Sequence, residues 1–576
     1  MPVRRLLPHA IVYLGVIAAT LIALPIDSSF SSDAGAYAGQ AYAIRHGGWS
    51  LDRPIPVVDS DNEGWLNGAV TPDGPIPYTT SPIYPVLLAG SAAAVHGPAE
   101  PDERAGSLAL GFRVVPVSAA VAAAAMAWFL AARLRPGAEA PAFWLLALGP
   151  VLVNATTLWA HTLATAAGGL SILGLLSLID HGRRVTDQLR VGPLVAGGGA
   201  LTTAFVVAGL VRTEGLFWIA AVTATGVVAA PSLLRRAVVA GAGAVGVAAW
   251  FAHRLYGAAL RADQLAIETR VGELAGGDQR WLTTRLSAAW LLLINDPSKG
   301  LASVATVVAV ILVAAAVHHL LRGPDDDRRL AVLLWGAVAA YVVRLGVGLG
   351  EPISGMVGAW PLGLLLPVAV FGTIGAAGDG RRNPPLPGGR RLAAVGAPVV
   401  LTTGMVLATQ YAGSGGLQWG GRYLSFVFVP LAAMAAIGAG RLLAERTLRA
   451  PIVALAVLPA VLGMAATVHL HRLQERMAVE ALVDDPDVVI TPSAPLPRSA
   501  WRALPTAFYR ASDDDLAPLL AELADAEVVS VNVHGLRAVE IDEESGYRVA
   551  EMIGPVRRLE LVATPTPSRV AHDGDP

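Results

Sequence analysis

What most constrains this chain is a repeated pattern: uninterrupted apolar stretches about twenty residues long, joined by short connections that carry arginine. A bilayer's hydrocarbon core is about 30 Å thick, so about 20 apolar residues cross it as a helix, which satisfies its own backbone polar groups. Such stretches run over 9–26, 108–132, 141–158, 161–180, 193–211, 215–234, 236–256, 300–321, 330–349, 353–375, 392–411, 422–443 and 451–470. They predict a polytopic α-helical membrane protein with about 13 spans. Composition agrees, with 54% hydrophobic and 15% charged residues where a water-soluble protein carries about 25% charged. The chain has 0 cysteines, which excludes disulfide frameworks, thiolate metal sites and cysteine nucleophiles. Its net charge of -2 lacks the basic footprint of a nucleic-acid binder.

Charge in the short connections gives the orientation. Arg4 and Arg5, Arg133 and Arg135, Arg183, Arg184 and Arg190, Arg235 and Arg236, Arg322, Arg328 and Arg329, Arg381, Arg382, Arg390 and Arg391, and Arg441, Arg446 and Arg449 all fall on one side. By the positive-inside rule that side is cytoplasmic. The N-terminus is then inside and the tail from about 471 outside, with two long loops, 27–107 and 257–299, also external. The first span reads as an uncut anchor, because Leu24, Pro25 and Ile26 make a poor small-residue cleavage site. Five charged residues, Arg113, Arg212, Glu214, Arg344 and Arg422, sit in or at the ends of spans on the external side. Intramembrane charge is costly, so such residues snorkel, pair, or line a polar cavity.

The first external loop opens with SSDAGAYAGQAYAIRHGGWS from Ser31 to Ser50. Asp33, Tyr37, Gln40 and Ile44 recur at helical spacing and Gly47 with Gly48 supplies a stop, so a short amphipathic helix at the membrane surface is expected. Asp33 lies at its favourable, N-terminal end for a carboxylate. Asp59, Asp61 and Glu63, and later Asp102 and Glu103, read as solvated loop acids. YTTSPIYPVLL at 78–88 suggests a proline-fixed extended turn before an apolar stretch. His161, in LWAHTLATA, follows an external turn, where an imidazole can bond sugar or phosphate or simply sit at the interface. Neither His318 with His319 nor His469 with His471 has the carboxylate company of a metal site. No HExxH, Walker loop or dinucleotide fingerprint is present.

The phrases SDAGAYAGQAYAI, SPIYPVLLA, LVRTEGLFW at 210–218 and WGGRYLSFVFVPLA at 419–432, following a large first external loop, resemble the GT-C superfamily of membrane glycosyltransferases. The likeness is to bacterial members of the protein-mannosyltransferase and aminoarabinose-transferase type and covers roughly residues 1–470. It implies a bacterial cytoplasmic-membrane enzyme that transfers a sugar from a polyprenyl-phosphate donor to an acceptor hydroxyl of an envelope glycan, lipid or protein, with inversion. Asp33 matches the first-loop catalytic acid. Tyr37, Glu214 and Tyr423 fall within the resembling motifs as donor-binding candidates. Ala34 stands where the pattern often has a second acid, which leaves use of a divalent cation open.

The residues themselves supply what such a transfer needs: a base, Asp33, cations for the departing phosphate, and small residues that let helices and lipid approach closely. The cations are Arg212 and Arg422, with Arg45 and Arg113 behind them. The external loop 257–299, with IETRVGELAGGDQ at 267–279, resembles a segment that covers the donor site. A multi-span transporter or lipid flippase also carries intramembrane arginines, but the external segment between the first two spans and the external tail suit a surface enzyme better. From about 484 the composition becomes that of a small extracytoplasmic α/β domain, 484–563, with strands at 488–492 and 527–533. A helix is expected at 512–526, opened by a Ser512–Asp515 capping box, and 564–576 reads as a disordered tail.

Overall fold

A computed structural model describes residues 2–24, 32–49, 69–71, 74–76, 83–180, 191–260, 285–286, 289, 301–321, 327–347, 389–409, 422–443, 445–492, 496, 500–504, 506–536, 541, 546–553 and 555–562. The chain divides into two compact units. One comprises Met1–Ile26, Thr79–Val95 and Leu110–His471; the other comprises Asp27–Tyr78, His96–Ala109 and Arg472–Pro576.

The first unit is helical. Its elements are α1 (Pro2–Ala23), α3 (Ile83–His96), α4 (Ala109–Leu134), α5 (Glu139–Ala147), α6 (Pro150–Thr156), α7 (His161–Asp180), α8 (Val191–Val211), α9 (Gly215–Ala229) and α10 (Leu233–Leu260). There follow α11 (Leu301–Leu321), α12 (Asp327–Val347), α13 (Gly389–Thr409), a 3-10 turn at Arg422–Val427, α14 (Phe428–Leu442) and, as far as His471, the long α15 (Arg446–Ala481), whose residues from Arg472 belong to the second unit. Among the described residues 6 helices are long and apolar enough to cross a membrane. They are Val3–Ala23, Ala105–Leu134, His161–Asp180, Gly192–Val211, Leu233–Leu255 and Arg391–Thr409.

The expectation of about 13 spans is therefore corrected, and the reasons are local. The run 141–158 breaks into α5 and α6, because Gly149 takes an extended conformation and Pro150 starts a new helix. The run 215–234 ends at Ala229, ahead of Pro231, giving a shorter apolar helix, Gly215–Ala229. The run 422–443 begins as a 3-10 turn and leaves only 15 residues for α14. The expected span 353–375 and most of the loop 257–299 lie outside the described residues.

Small residues set the helix spacing. A Cβ on Gly174 of α7 would sit 3.0 Å from the Gly197 carbonyl of α8, and one on Gly209 would sit 2.6 Å from the Gly246 carbonyl of α10. These paired glycines bring backbones into direct contact, the packing mode available where no hydrophobic effect drives helix association. A large apolar core runs through α1, α4–α10, α13, the 3-10 turn and α14. A second core joins α11, α12 and the start of α15. Leu7, Ile11 and Ile22 of α1 and Phe251 and Leu255 of α10 are exposed, the apolar exterior that suits a protein in lipid.

The second unit holds α2 (Ser32–Arg45), the hairpin β1 (Ala69–Thr71) and β2 (Gly74–Ile76), a 3-10 turn at Ala105–Leu108, and a five-stranded sheet. The sheet comprises β3 (Val488–Thr491), β4 (Ala507–Arg510), β5 (Ser530–His534), β6 (Tyr547–Ile553) and β7 (Val556–Leu561), in the order β4-β3-β5-β7-β6. β3 pairs parallel with β4 and β5, while β7 runs antiparallel to β5 and β6. The helix Leu516–Asp525 makes the crossover from β4 to β5. It starts four residues later than expected from Ser512: the Asp515 carboxylate accepts from the Ser512 N–H and hydroxyl and holds a turn before the first helical residue. Buried Asn532 of β5 donates to the Ala481 and Val483 carbonyls, closing the C-terminal end of α15.

Two readings of the first loop also change. The helix over 32–45 forms and stops at Gly47, whose φ of +88° suits glycine. Residues 34–43 are buried all round, so it is not an amphipathic surface helix. Its polar side chains Tyr37, Gln40 and Tyr42 are buried along with the alanines between them. The second proline of the 78–88 segment, Pro85, lies inside the first turn of α3, where a missing N–H costs nothing.

Candidate functional site

The turn between α8 and α9 is drawn tight by Gly215, where a Cβ would meet the Ala208 carbonyl at 2.0 Å. This places Arg212 and Glu214, both buried, so that their side chains pair. Arg212 Nε donates to Glu214 Oε2 at 3.1 Å, with Nη2 and Oε1 at 3.4 Å. The Arg212 guanidinium also lies 5.6 Å from the centre of the Tyr423 ring. A paired carboxylate and an aromatic ring near by hold that charge in an interior that would otherwise reject it.

Tyr423 reaches this position because its 3-10 turn is seated on two helices. Gly168 of α7 leaves room for the turn's backbone, since a Cβ there would lie 2.1 Å from the Phe426 carbonyl oxygen. The Phe426 ring stacks on Trp218 of α9, with centroids 6.4 Å apart and planes 14° apart. Trp218 Nε1 donates to Ser171 Oγ at 2.8 Å, and that hydroxyl donates to the Gly168 carbonyl at 2.7 Å.

His161 is the first residue of α7 and is buried edge-on to Trp159, with centroids 5.3 Å apart. Tyr84 Oη donates to the Trp159 carbonyl at 3.1 Å. Buried Arg113, near the start of α4, donates to the Thr156 carbonyl. Helix direction puts His161, Arg212, Glu214 and Arg113 toward one end of this unit. The other end gathers arginines: Arg133 donates to the Leu173 carbonyl and Ser177, Arg235 to the Leu178 carbonyl, and Arg391 to Asp180 at 2.6 Å.

In the second unit Asp33 is the second residue of α2. Tyr37 is buried on the same helix. Arg45 ends it, with Nε and Nη2 on the Glu103 carboxylate at 2.5 and 2.8 Å and two further bonds, both 3.0 Å, to the Gly97 and Pro98 carbonyls. The bond to Glu103 raises the Arg45 pKa above its ordinary value, so this guanidinium stays charged while it ties α2 to the segment before α4. The side chains of Asp33 and Arg422 lie outside the described residues, as do Asp59, Asp61 and Glu63.

Of the residues selected from sequence, the structure brings Arg212, Glu214 and Tyr423 into one cluster. Sequence reading missed its supports, Gly168, Ser171 and Trp218, although a Gly168–Gly169 pair inside an apolar span is itself a sign of close approach. It also missed Glu103 as the partner of Arg45, 58 positions away. Among the described residues no group of three or more His, Asp or Glu side chains is placed to hold a metal ion.

No protein-family model matches this chain, and no curated protein sequence matches it. Among solved structures it is similar to ArnT from Cupriavidus metallidurans bound to undecaprenyl phosphate, at 16% identity over 96% of this chain and 98% of that one, with a TM-score of 0.40. It is also similar to the Archaeoglobus fulgidus oligosaccharyltransferase in its apo form, at 12% identity over 91% of this chain and 69% of that one, with a TM-score of 0.41.

Proposed function

We propose that this protein is a membrane glycosyltransferase of GT-C type that moves a sugar from a polyprenyl-phosphate donor to an acceptor hydroxyl on the extracytoplasmic face, with inversion. The observation that carries the reading is the buried cluster of Arg212, Glu214 and Tyr423 at the end of the helical unit opposite its arginine-rich end. The order of the resembling motifs along the chain supports it. In the transfer the acceptor oxygen bonds to the anomeric carbon, its proton passes to the Asp33 carboxylate, and the bond to the lipid phosphate breaks. The phosphate departs with its negative charge, which Arg212 and Arg422 balance; a guanidinium suits that task because it stays protonated and matches phosphate oxygens two at a time. Glu214 and Tyr423 keep Arg212 oriented between turnovers, so little reorganisation is needed as charge develops. His161 and Tyr37 are proposed to contact the donor. The acceptor is an envelope glycan, lipid or protein.

The test is transfer by the purified full-length protein from radiolabelled polyprenyl-phosphate sugars into envelope extract. Asp33→Asn is expected to slow transfer by about 10²- to 10⁴-fold, the worth of a general base, while donor binding persists. Equal turnover of wild type and variant would remove Asp33 from the chemistry. Movement of the intact donor between leaflets of a proteoliposome, with no transfer, would instead identify a flippase.

A further inference from the structure

Within the second unit a cavity of about 500 Å³ is lined by the apolar Val479, Leu482 and Val483 together with Arg104, Arg502 and Asp485. Neither the resemblance nor the proposed transfer uses it. Its two arginines come from short turns that meet closely: a Cβ on Gly106 would lie 3.1 Å from Arg502 Cβ, and the Ala105 N–H donates to the Leu504 carbonyl. Arg104 presents its guanidinium as a fork, Nη1 and Nη2 bonding the two oxygens of Asp485 at 2.7 and 2.5 Å. That geometry is the one a guanidinium uses for any carboxylate or phosphate. Both partners are more than half exposed, and an ion pair in that setting contributes little because water and salt screen it. Asp485 also occupies the left-handed region at φ 54°, uncommon for a residue with a side chain.

We propose that this cavity binds the anionic group of an amphipathic molecule, a phosphate or carboxylate carrying a short apolar portion, and that Asp485 is a built-in carboxylate which the ligand displaces from Arg104. The apolar portion lies against Val479, Leu482 and Val483, and Arg502, whose Nη1 lies 4.0 Å from Glu475 Oε1, adds a second positive charge. The site stands independently of the sugar-transfer reading.

The experiment is calorimetric titration of the full-length protein in detergent with hexyl phosphate, inorganic phosphate and hexanol. Hexyl phosphate binds, inorganic phosphate binds at least about tenfold more weakly for want of the apolar contact, and hexanol does not bind. Asp485→Asn keeps the left-handed backbone, which asparagine tolerates, and tightens hexyl phosphate about fivefold, the worth of an exposed ion pair. Arg104→Gln abolishes binding. Arg558→Gln, which removes an equal charge from the Asp484 pair outside the cavity, leaves it unchanged. Unaltered or weaker binding in Asp485→Asn overturns the displacement. Equal affinity for hexanol or inorganic phosphate overturns the ligand class, and equal losses in the Arg104 and Arg558 variants overturn the site.

Discussion

Glu214 holds a guanidinium that folding has taken out of water, and the two buried side chains depend on each other. Removing one partner of a buried pair weakens the compensation of the charge that stays, at a cost of up to about 3–5 kcal/mol. Glu214→Gln is therefore expected to destabilise the protein by up to that amount, read from unfolding in detergent. The double variant Arg212→Met with Glu214→Leu is expected to recover most of it, because an apolar pair needs no compensation. If the proposed role of Arg212 is right, transfer stays lost in the double variant although stability returns; recovery of both would reduce the pair to packing. This part of the site was legible in the sequence, since a charge at the end of an apolar run is conspicuous. That Arg212 and Tyr423 meet was not, because 211 positions separate them and no local pattern encodes a long-range contact.

At the scale of elements, α7 organises the site through what it lacks. Gly168 and Gly169 leave the α7 surface open to the turn at Arg422–Val427 and to Val429. Gly168→Ala is expected to cost about 1–3 kcal/mol or more, since the obstructing atom is a backbone carbonyl that cannot swing aside. Gly199→Ala on α8 and Gly241→Ala on α10, where a Cβ meets nothing within 4 Å, should be neutral or stabilise by about 0.5–1 kcal/mol through helix propensity. Comparable thermal shifts in all three would remove Gly168 from any seating role. The short helices show the same limit of sequence reading. Hydropathy measures how apolar a run is, whereas Gly149–Pro150 and Pro231 decide where its backbone can continue.

For the whole molecule, the opposed ends of the helical unit make orientation testable. With 0 cysteines in the chain, single-cysteine variants give an unambiguous label. Ser232→Cys, between α9 and α10 at the arginine-rich end, should resist an impermeant maleimide in intact cells, and Ser512→Cys in the second unit should react. The reverse pattern would turn the protein over and put the proposed site on the wrong face. The sequence by itself determined that the chain enters a membrane, that its arginines favour one side, and that its last part is a small module bearing strands. Each of these follows from composition summed over a segment, or from a repeat that one stretch of chain displays alone. Only the tertiary structure decided that residues 34–43 of α2 are buried on every side. It alone set Glu103 against Arg45 and Tyr423 beside Arg212, because such meetings depend on how closely glycine-lined backbones approach, a property shared between segments and written in neither one.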